Sequence, residues 1–187
     1  MLLPFFLISC SGLNGNSFKN AQGIMPGGLQ SARILQKVPF YPQGDHQCGP
    51  ASMAEVLNYF GAKTTPEGVA SSIYSKTARG TLGIDMLIYP AHAGFKASQY
   101  SGGQRDIVSK IDRGLPLIVF VDYGFWVYQR GHFMVVVGYD ANGPVVHSGD
   151  EPFEHIPWEE FMAPWKRTGY WTLLITPGKQ KNGKDEK

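Results

Sequence analysis

The chain of 187 residues contains only two cysteines, Cys10 and Cys48. Two cysteines cannot build a disulfide framework, so each of them needs its own explanation. The chain also lacks an excess of one charge, since 17 basic and 15 acidic residues leave a net charge of only +2. The lysine-rich end, residues 178–187, accounts for this excess and leaves the rest of the chain neutral. A neutral body lacks the basic surface that nucleic acids require, so no nucleic-acid partner is predicted.

The apolar N-terminal run, residues 1–10, is shorter than the roughly 20 residues that a membrane-spanning helix needs. It fits the core of an export signal better. Residues 7–10, Leu-Ile-Ser-Cys, resemble the bacterial lipobox, whose cysteine receives lipid and becomes the mature N-terminus. We therefore expect a lipoprotein exported into a bacterial cell envelope and anchored to a membrane through Cys10. A cleaved ordinary signal and an uncleaved apolar end are the alternatives.

The rest of the chain divides into a tether, one domain and a tail. Residues 11–33 are rich in Gly, Asn, Ser and Gln without periodicity, which predicts a flexible tether. Residues 34–177 predict a single globular domain, and 178–187 a disordered basic tail. The tail nearly spells a phosphate-binding loop, but it has Asp185 where Ser or Thr would bind magnesium. No ATP and no cofactor are therefore predicted.

Helical patterns come first in the domain and strand patterns follow. Helices are predicted at 48–60, 65–74, 84–93 and 103–113, after an extended stretch at 34–41. Strands are predicted at 116–122, 132–140, 145–147 and 171–176, with a short helix or turn at 157–165. This segregation of helices from strands favours an α+β fold over an alternating α/β sheet.

Cys48 begins the most regular of these helices. Pro50 suits the first turn of a helix, where its missing N–H is no loss. A thiol at this end faces unpaired N–H groups and the positive end of the helix dipole, which both favour the thiolate. Such placement can lower a cysteine pKa to roughly 3.5–7.5. Cys48 is therefore a candidate nucleophile, which needs a base within reach.

The best-placed base is His132, because it follows the loop 123–131 and opens a buried strand that would hold it rigidly. His46 is nearer to Cys48 in sequence, but its loop leaves its geometry unconstrained. His46 and Cys48 have no second pair at ligand spacing, so no metal site is predicted. The remaining histidines are less well placed: His92, His147 and His155.

A glutamine, a Cys-Gly-Pro-Ala helix start and a histidine opening a valine-rich strand together resemble papain-like cysteine peptidases. The best match is the bacteriocin-processing (double-glycine leader) peptidase family. Its signature blocks are similar to 38–43, Val-Pro-Phe-Tyr-Pro-Gln, and to 131–140, Gly-His-Phe-Met-Val-Val-Val-Gly-Tyr-Asp. Its closing segment resembles 156–161 with Trp165. The similarity spans about residues 37–177 and implies a papain-like α+β fold, with a helical half packed against a small antiparallel sheet.

The resemblance also implies roles for individual residues. Cys48 would attack the scissile carbonyl, and His132 would take its proton and later deliver one to the leaving amine. Gln43 and the backbone N–H of Cys48 would form the oxyanion hole. The glutamine of this pattern usually lies six residues before the cysteine, whereas Gln43 lies five before it. Gln47 is therefore an alternative donor, although a less favoured one.

The third catalytic residue departs from the family pattern, which puts an aspartate about sixteen residues after the histidine. That offset falls on Ser148, so we predict that Asp150, two residues further on, orients His132. Asp140 ends the strand that His132 begins, roughly 25 Å away if the strand stays straight, and is excluded. The alternative for Asp150 is a turn aspartate that accepts local N–H bonds.

These inferences predict a thiol protease, a hydrolase that cleaves a peptide or protein substrate through a thioester acyl-enzyme. The resemblance points to small residues at the cleavage position. Two alternatives stay open: a thiol-dependent acyltransferase or amidase on the same fold, and a non-catalytic peptide-binding relative.

Overall fold

The computed structural model describes residues 32–44, 47–77, 80–124 and 130–178. The lipidation candidate Cys10, most of the predicted tether, His46 and nearly all of the predicted tail lie outside these residues. Within them the helices are α1 (Cys48–Tyr59), α2 (Pro66–Ile73), α3 (Gly83–His92), α4 (Gln104–Asp112) and α5 (Trp158–Arg167). The strands are β1 (Arg33–Ile34), β2 (Tyr74–Ser75), β3 (Gly80–Thr81), β4 (Phe95–Ser101), β5 (Leu117–Asp122), β6 (Gly131–Tyr139), β7 (Pro144–Ser148), β8 (Glu151–His155) and β9 (Trp171–Pro177).

Six strands form one sheet in the order β4-β9-β5-β6-β7-β8, and the short β1 pairs with the far end of β6. All pairings among the described strands are antiparallel. The helices α1, α4 and α5 pack on the central strands β5 and β6. These helices therefore cover the buried central strands of the sheet.

Helix α1 is the core helix of the molecule. Its side chains from Ala51 to Leu57 are buried, as its apolar pattern predicts. The helix ends where Gly61 adopts a φ of +94°, a left-handed conformation that glycine tolerates best. Because α1 is packed on all sides, the position of Cys48 at its first turn is fixed by the core.

The structure confirms the predicted α+β fold, but it corrects the predicted order of elements. Strand β4 lies between α3 and α4, where only helices were expected, and pairs with β9 along its whole length. It was missed because its residues are half or fully exposed, and none of them is β-branched. The stretch 34–41 was expected to be extended, yet only Arg33–Ile34 pairs before the chain turns.

Candidate active site

The thiol of Cys48 lies against the first residues of β6. Cys48 is the first residue of α1, and its half-buried sulfur is within hydrogen-bonding reach of the backbone N–H of Phe133. Phe133 directly follows His132 in the chain. Core packing of α1 on β6 therefore brings the predicted nucleophile to within one residue of the predicted base.

Burial decides the protonation state of this thiol. The pKa of Cys48 is raised, because burial disfavours the thiolate more than the N–H groups of Phe133, Gly49 and Cys48 itself favour it. The sequence-based expectation of a lowered pKa is therefore wrong. The helix terminus does supply N–H groups, but the sequence alone could not show that the core closes over the sulfur.

His132 is half-buried at the start of β6. Burial, together with the positive charge of Arg130, lowers the pKa of His132. The imidazole is therefore neutral at neutral pH, the state that a general base requires. Among the described residues no hydrogen bond joins the His132 ring to the Cys48 thiol. The raised pKa of Cys48 and the lowered pKa of His132 both favour the neutral forms of the two groups.

The hydrogen-bond partner of the His132 ring is Ser148. His132 Nε2 lies 3.1 Å from Ser148 Oγ. In the tautomer in which Nε2–H donates to this hydroxyl, Nδ1 is the acceptor nitrogen, which is the form that can take a proton from a thiol. Ser148 stands at the sequence offset where the family pattern has its aspartate.

Asp150 lies instead in the tight turn between β7 and β8. Ser148 pairs with Glu151, so that Gly149, with a φ of +56°, and Asp150 form the turn. The side chain of Asp150 is exposed and makes no hydrogen bond to His132 among the described residues. The predicted orienting role of Asp150 thus has no contact to support it, because the turn directs this residue to solvent.

Gln43 is held against the same turn by two hydrogen bonds. Its backbone N–H donates to the carbonyl of Gly149 at 2.9 Å, and its side-chain Oε1 accepts from the N–H of Gly149 at 3.3 Å. Because the atom that faces the Gly149 N–H must be an acceptor, it is the amide oxygen Oε1, and the amide nitrogen Nε2 points away from Gly149. Nε2 is buried and has no partner within the described residues. A buried donor left without any acceptor costs about 1–3 kcal/mol, so this N–H group is available to an acceptor from a ligand or a water molecule.

Gln47 and Asp140, considered in the sequence as alternatives to Gln43 and Asp150, make different contacts. Gln47 precedes α1 and makes no capping hydrogen bond with its side chain. Asp140 lies at the opposite end of β6 from His132, where it accepts hydrogen bonds from Asn142 N–H at 2.7 Å and from His155 Nε2 at 2.9 Å. Asp140 is thus a turn residue.

A buried acid–base pair that sequence reasoning missed lies behind the site. Glu55 Oε2 and His147 Nδ1 are 3.0 Å apart, and both side chains are fully buried. Glu55 Oε1 also accepts the N–H of Tyr41 at 3.1 Å. Burial raises the pKa of Glu55, against the opposing effect of His147. The pair ties α1, which carries Cys48, to β7, which ends at Ser148. The signal in the sequence that could have revealed this pair is Glu55, an acidic residue among the apolar residues of α1.

A cavity of about 430 Å³ opens beside the start of β6, and we call it the side pocket. Gly131 and Phe133, which flank His132, both line it. The other lining residues are Thr81, Leu82, Gly83, Phe120, Asp122, Arg167, Thr168 and Trp171. The volume falls within the roughly 300–1,000 Å³ of pockets that hold small organic groups.

Two further observations concern metals and membranes. No group of three His, Cys, Asp or Glu side chains in the described ranges is arranged to hold a metal ion. Likewise, none of the helices described is both long and apolar enough to cross a bilayer.

Known proteins share this fold. Solved structures with the same fold include a C39-like peptidase from Bacillus anthracis, which is 17% identical with a TM-score of 0.63 over 78% of this chain and 98% of that one. The peptidase domain of Streptococcus ComA is 22% identical with a TM-score of 0.62 over 75% and 98% of the two chains. A double-glycine-motif protease from an AMS/PCAT transporter, in complex with its leader peptide, is 23% identical with a TM-score of 0.57 over 79% and 99%.

Curated protein sequences give no match. Identities of this size show a shared fold, and the family assignment rests on the sequence of the domain itself. Residues 35–172, well over half of the chain, match the Peptidase_C39 like family. These residues include Cys48, His132, Gln43 and Ser148. The protein therefore belongs to the Peptidase_C39 like family and is a cysteine peptidase with the α+β fold of that family.

Proposed function

We propose that this protein hydrolyses peptide bonds through a thioester formed on Cys48, with His132 as the proton carrier and Gln43 as an oxyanion-hole donor. The observation that carries the proposal is the position of the Cys48 sulfur against the N–H of Phe133, beside His132. The buried Nε2 of Gln43, which has no partner among the described residues, also supports it.

The reaction starts from two neutral groups. Because the pKa of Cys48 is raised and that of His132 is lowered, the resting site holds a thiol and a neutral imidazole. His132 takes the thiol proton while the sulfur attacks the scissile carbonyl, and the proton then goes to the leaving amine. His132 next takes a proton from a water molecule as its oxygen attacks the thioester carbonyl. The C–S bond then breaks, the acyl half of the peptide leaves as a carboxylic acid, and His132 returns the proton to the Cys48 sulfur.

The negative charge of each tetrahedral intermediate needs donors that are already in place. Gln43 Nε2 is such a donor, since its amide is held by Gly149 through the oxygen alone. The N–H of Cys48, at the start of α1, is the second donor. Stabilisation of this kind contributes about 10²–10³ to the rate for each donor.

Ser148 keeps the ring of His132 in the productive orientation. Its hydroxyl can accept a hydrogen bond from Nε2–H but adds no charge, so the imidazolium that forms during the reaction is stabilised less than it would be by a carboxylate. Asp150, at the exposed turn, stays a second candidate for this role.

The substrate that we propose is a peptide or the peptide segment of a protein. A leader peptide is bound in the structure of the AMS/PCAT transporter protease, which shares the fold. The half-open site between α1 and β6 gives a chain access to Cys48, whose side chain is not fully buried.

We further propose export and anchoring through lipidated Cys10. The lipobox-like residues 7–10 support this, and residues 11–33 would supply the tether between membrane and domain. Full-length protein should label with radioactive palmitate and sediment with membranes, and Cys10→Ala should do neither. Labelling that survives Cys10→Ala would refute the anchor.

Incubation with a peptide library, followed by mass spectrometry, tests the hydrolase. Wild-type protein should release new amino and carboxyl termini with one oxygen from labelled water, while Cys48→Ala and His132→Ala should release none. A covalent adduct on Cys48, heavier by the acyl half of the peptide, should accumulate when hydrolysis is slowed by low temperature. Preferential transfer of the acyl group to an added amine would identify a transferase instead.

A further inference from the structure

The backbone that leads to Gln43 is held by a side chain of α1. Pro39 and Pro42 have no N–H group, so this stretch cannot pair regularly with a neighbouring strand. The N–H of Tyr41, which lies between them, donates instead to the carboxyl group of Glu55 at 3.1 Å. The segment that ends at Gln43 is therefore placed by a buried acid on the helix that begins with the nucleophile.

The second oxygen of the same carboxyl group contacts β7. Glu55 Oε2 lies 3.0 Å from His147 Nδ1, and both side chains are fully buried. His147 directly precedes Ser148, whose Oγ lies 3.1 Å from Nε2 of His132. One carboxyl group on α1 is thus bonded both to the segment of Gln43 and to the strand of Ser148.

The remaining contacts of the His147 ring are apolar. The ring of Phe40 meets it edge-on with centroids 5.3 Å apart, and the ring of Phe153 does so at 4.8 Å. Its Nε2 is buried and has no partner among the described residues. Within this part of the chain, the bond to Glu55 is therefore the directional contact that orients the ring.

Stability alone does not account for this pair. Burial disfavours the charged form of Glu55 and raises its pKa. Two well-packed apolar side chains of similar volume are often as stable as a buried acid–base pair, or more stable, whereas removal of one partner is costly. Apolar residues cannot, however, supply the two hydrogen bonds that fix Tyr41 and His147 at defined distances from α1.

We propose that Glu55 is a positioning residue of the active site, whose buried carboxyl group sets the places of Gln43 and Ser148 relative to the nucleophile. This inference rests on the proposed peptidase function and extends it to a residue that does not touch the reacting atoms. Cys48 lies seven residues earlier, roughly 10 Å along the axis of α1. Glu55 acts through its neighbours, because a misplacement of about 1 Å at a site can cost 10²-fold in rate.

The test replaces both members of the pair, so that the core stays filled. Glu55→Met combined with His147→Leu removes the hydrogen bonds and should unfold at a urea concentration close to that of the wild type. Its kcat on a cleaved peptide should nevertheless fall by about 10- to 100-fold. KM should change by less than about 3-fold, because Gln43 and Ser148 act during the reaction rather than in binding.

Glu55→Gln is the conservative variant. Its amide still offers an oxygen to the N–H of Tyr41 and an N–H group to Nδ1 of His147. It should therefore keep kcat within about 3-fold of the wild type, the loss expected when neutral hydrogen bonds replace charged ones.

Leu57→Ala is the matched control for stability. Leu57 is as fully buried as Glu55 and lies two residues further along α1, about 200° around the helix. Loss of its side chain should lower the urea midpoint more than the double replacement does, yet leave kcat near the wild-type value. If the double replacement does not fold, His147→Phe takes its place and should lower kcat by about 5-fold or more at unchanged KM.

Hydrogen exchange supplies a readout that needs no turnover. The N–H of Gln43 donates to the carbonyl of Gly149 at 2.9 Å, and the N–H of Gly149 donates to Gln43 Oε1 at 3.3 Å. Exchange of these two backbone amides should become about 10-fold faster or more in the double replacement, because the segment is no longer tied to α1. Glu55→Gln should keep the wild-type exchange rates.

A wild-type kcat in the replacement that folds would overturn the inference, as would an equal loss of kcat in Leu57→Ala. Failure of the peptidase proposal is recognised separately, because the wild-type protein would then cleave no peptide. In that case the exchange rates decide alone. Faster exchange at Gln43 and Gly149 would uphold the positioning role of Glu55, and unchanged exchange would refute it.

Discussion

His132 Nε2 and Ser148 Oγ are 3.1 Å apart, at the position where the family pattern places a carboxylate. A hydroxyl orients the ring but carries no charge to stabilise an imidazolium. Burial and, after it, the positive charge of Arg130 lower the pKa of His132 below its ordinary value. The site therefore works with a weakly basic, neutral imidazole.

Exchange of Ser148 should change the pH dependence of the enzyme. Ser148→Asp should raise the pKa of His132, because the new carboxylate favours the imidazolium, and should move the acidic limb of the kcat/KM profile to higher pH. Ser148→Ala should lower kcat by about 2- to 10-fold, the value of one neutral hydrogen bond. Asp150→Asn is the control and should leave kcat and its pH profile unchanged. A loss in Asp150→Asn that exceeds the loss in Ser148→Ala would assign the orienting role to Asp150.

The thiol of Cys48 should be protonated in the free enzyme at neutral pH. Its pKa is raised above the ordinary 9.0, chiefly by burial. The rate of alkylation by iodoacetamide should therefore keep rising beyond pH 9, and His132→Ala should alter this profile little. Free cysteine measured in parallel is the reference. A plateau of reactivity below pH 7 that disappears in His132→Ala would show a thiolate–imidazolium pair and contradict the neutral site.

Gln43→Ala should reduce kcat by about 10²–10³ and leave the alkylation of Cys48 unchanged, because Nε2 acts only on the developing oxyanion. Gln47→Ala is the control for the neighbouring amide and should keep the wild-type kcat. If the two variants showed the opposite pattern, Gln47 would be the oxyanion donor. Circular dichroism of both variants checks that the loop tied to Gly149 still folds.

The buried pair of Glu55 and His147 should matter far more for stability than the exposed pair of Asp140 and His155. Glu55→Ala should cost about 3–5 kcal/mol in the free energy of unfolding, since it leaves His147 buried without its partner. His155→Ala should cost about 0–1 kcal/mol, as expected for a solvent-exposed pair. Urea unfolding at pH 7 measures both. Equal losses in the two variants would show that the buried pair is not a structural link between α1 and β7.

Lower pH should destabilise the fold in part through His132. The pKa of His132 is lower in the folded than in the unfolded protein, so the unfolded state takes up a proton first as the pH falls. This contribution to stability is fully present above the unfolded pKa of about 6.5 and is lost progressively below it. Urea unfolding at pH 7.5 and pH 5 should show a smaller drop in stability for His132→Gln than for wild type. An identical drop would contradict the shift.

Much of the fold could be predicted because its elements carry local patterns. The helix that begins at Cys48, the cap at Thr65, whose Oγ1 accepts the N–H of Gly68, and the apolar strands β5 and β6 all follow from spacing and turn chemistry. Strand β4 does not, because its identity comes from pairing with β9 rather than from its own residues. Long-range pairing leaves little trace in a segment that is half exposed.

Some of the site residues could likewise be predicted from the sequence, and others were found only in the structure. Cys48, His132 and Gln43 could be named from residue type, spacing and a family resemblance. Ser148 was located by its offset from His132, but its hydrogen bond to the His132 ring became visible only once β6 and β7 were paired. Glu55 and His147 lie far apart in the sequence, and only packing of α1 on the sheet makes them partners.

The amino-acid sequence by itself determined the elements and the chemical groups: a thiol at a helix start, an imidazole at a strand start, and an amide shortly before the thiol. These depend on local periodicity and residue chemistry, which the chain carries directly. The tertiary structure alone decided the protonation of Cys48 and the partner of His132. Both depend on which distant segments exclude water from the site, and burial of charge outweighs the local effect of a helix terminus.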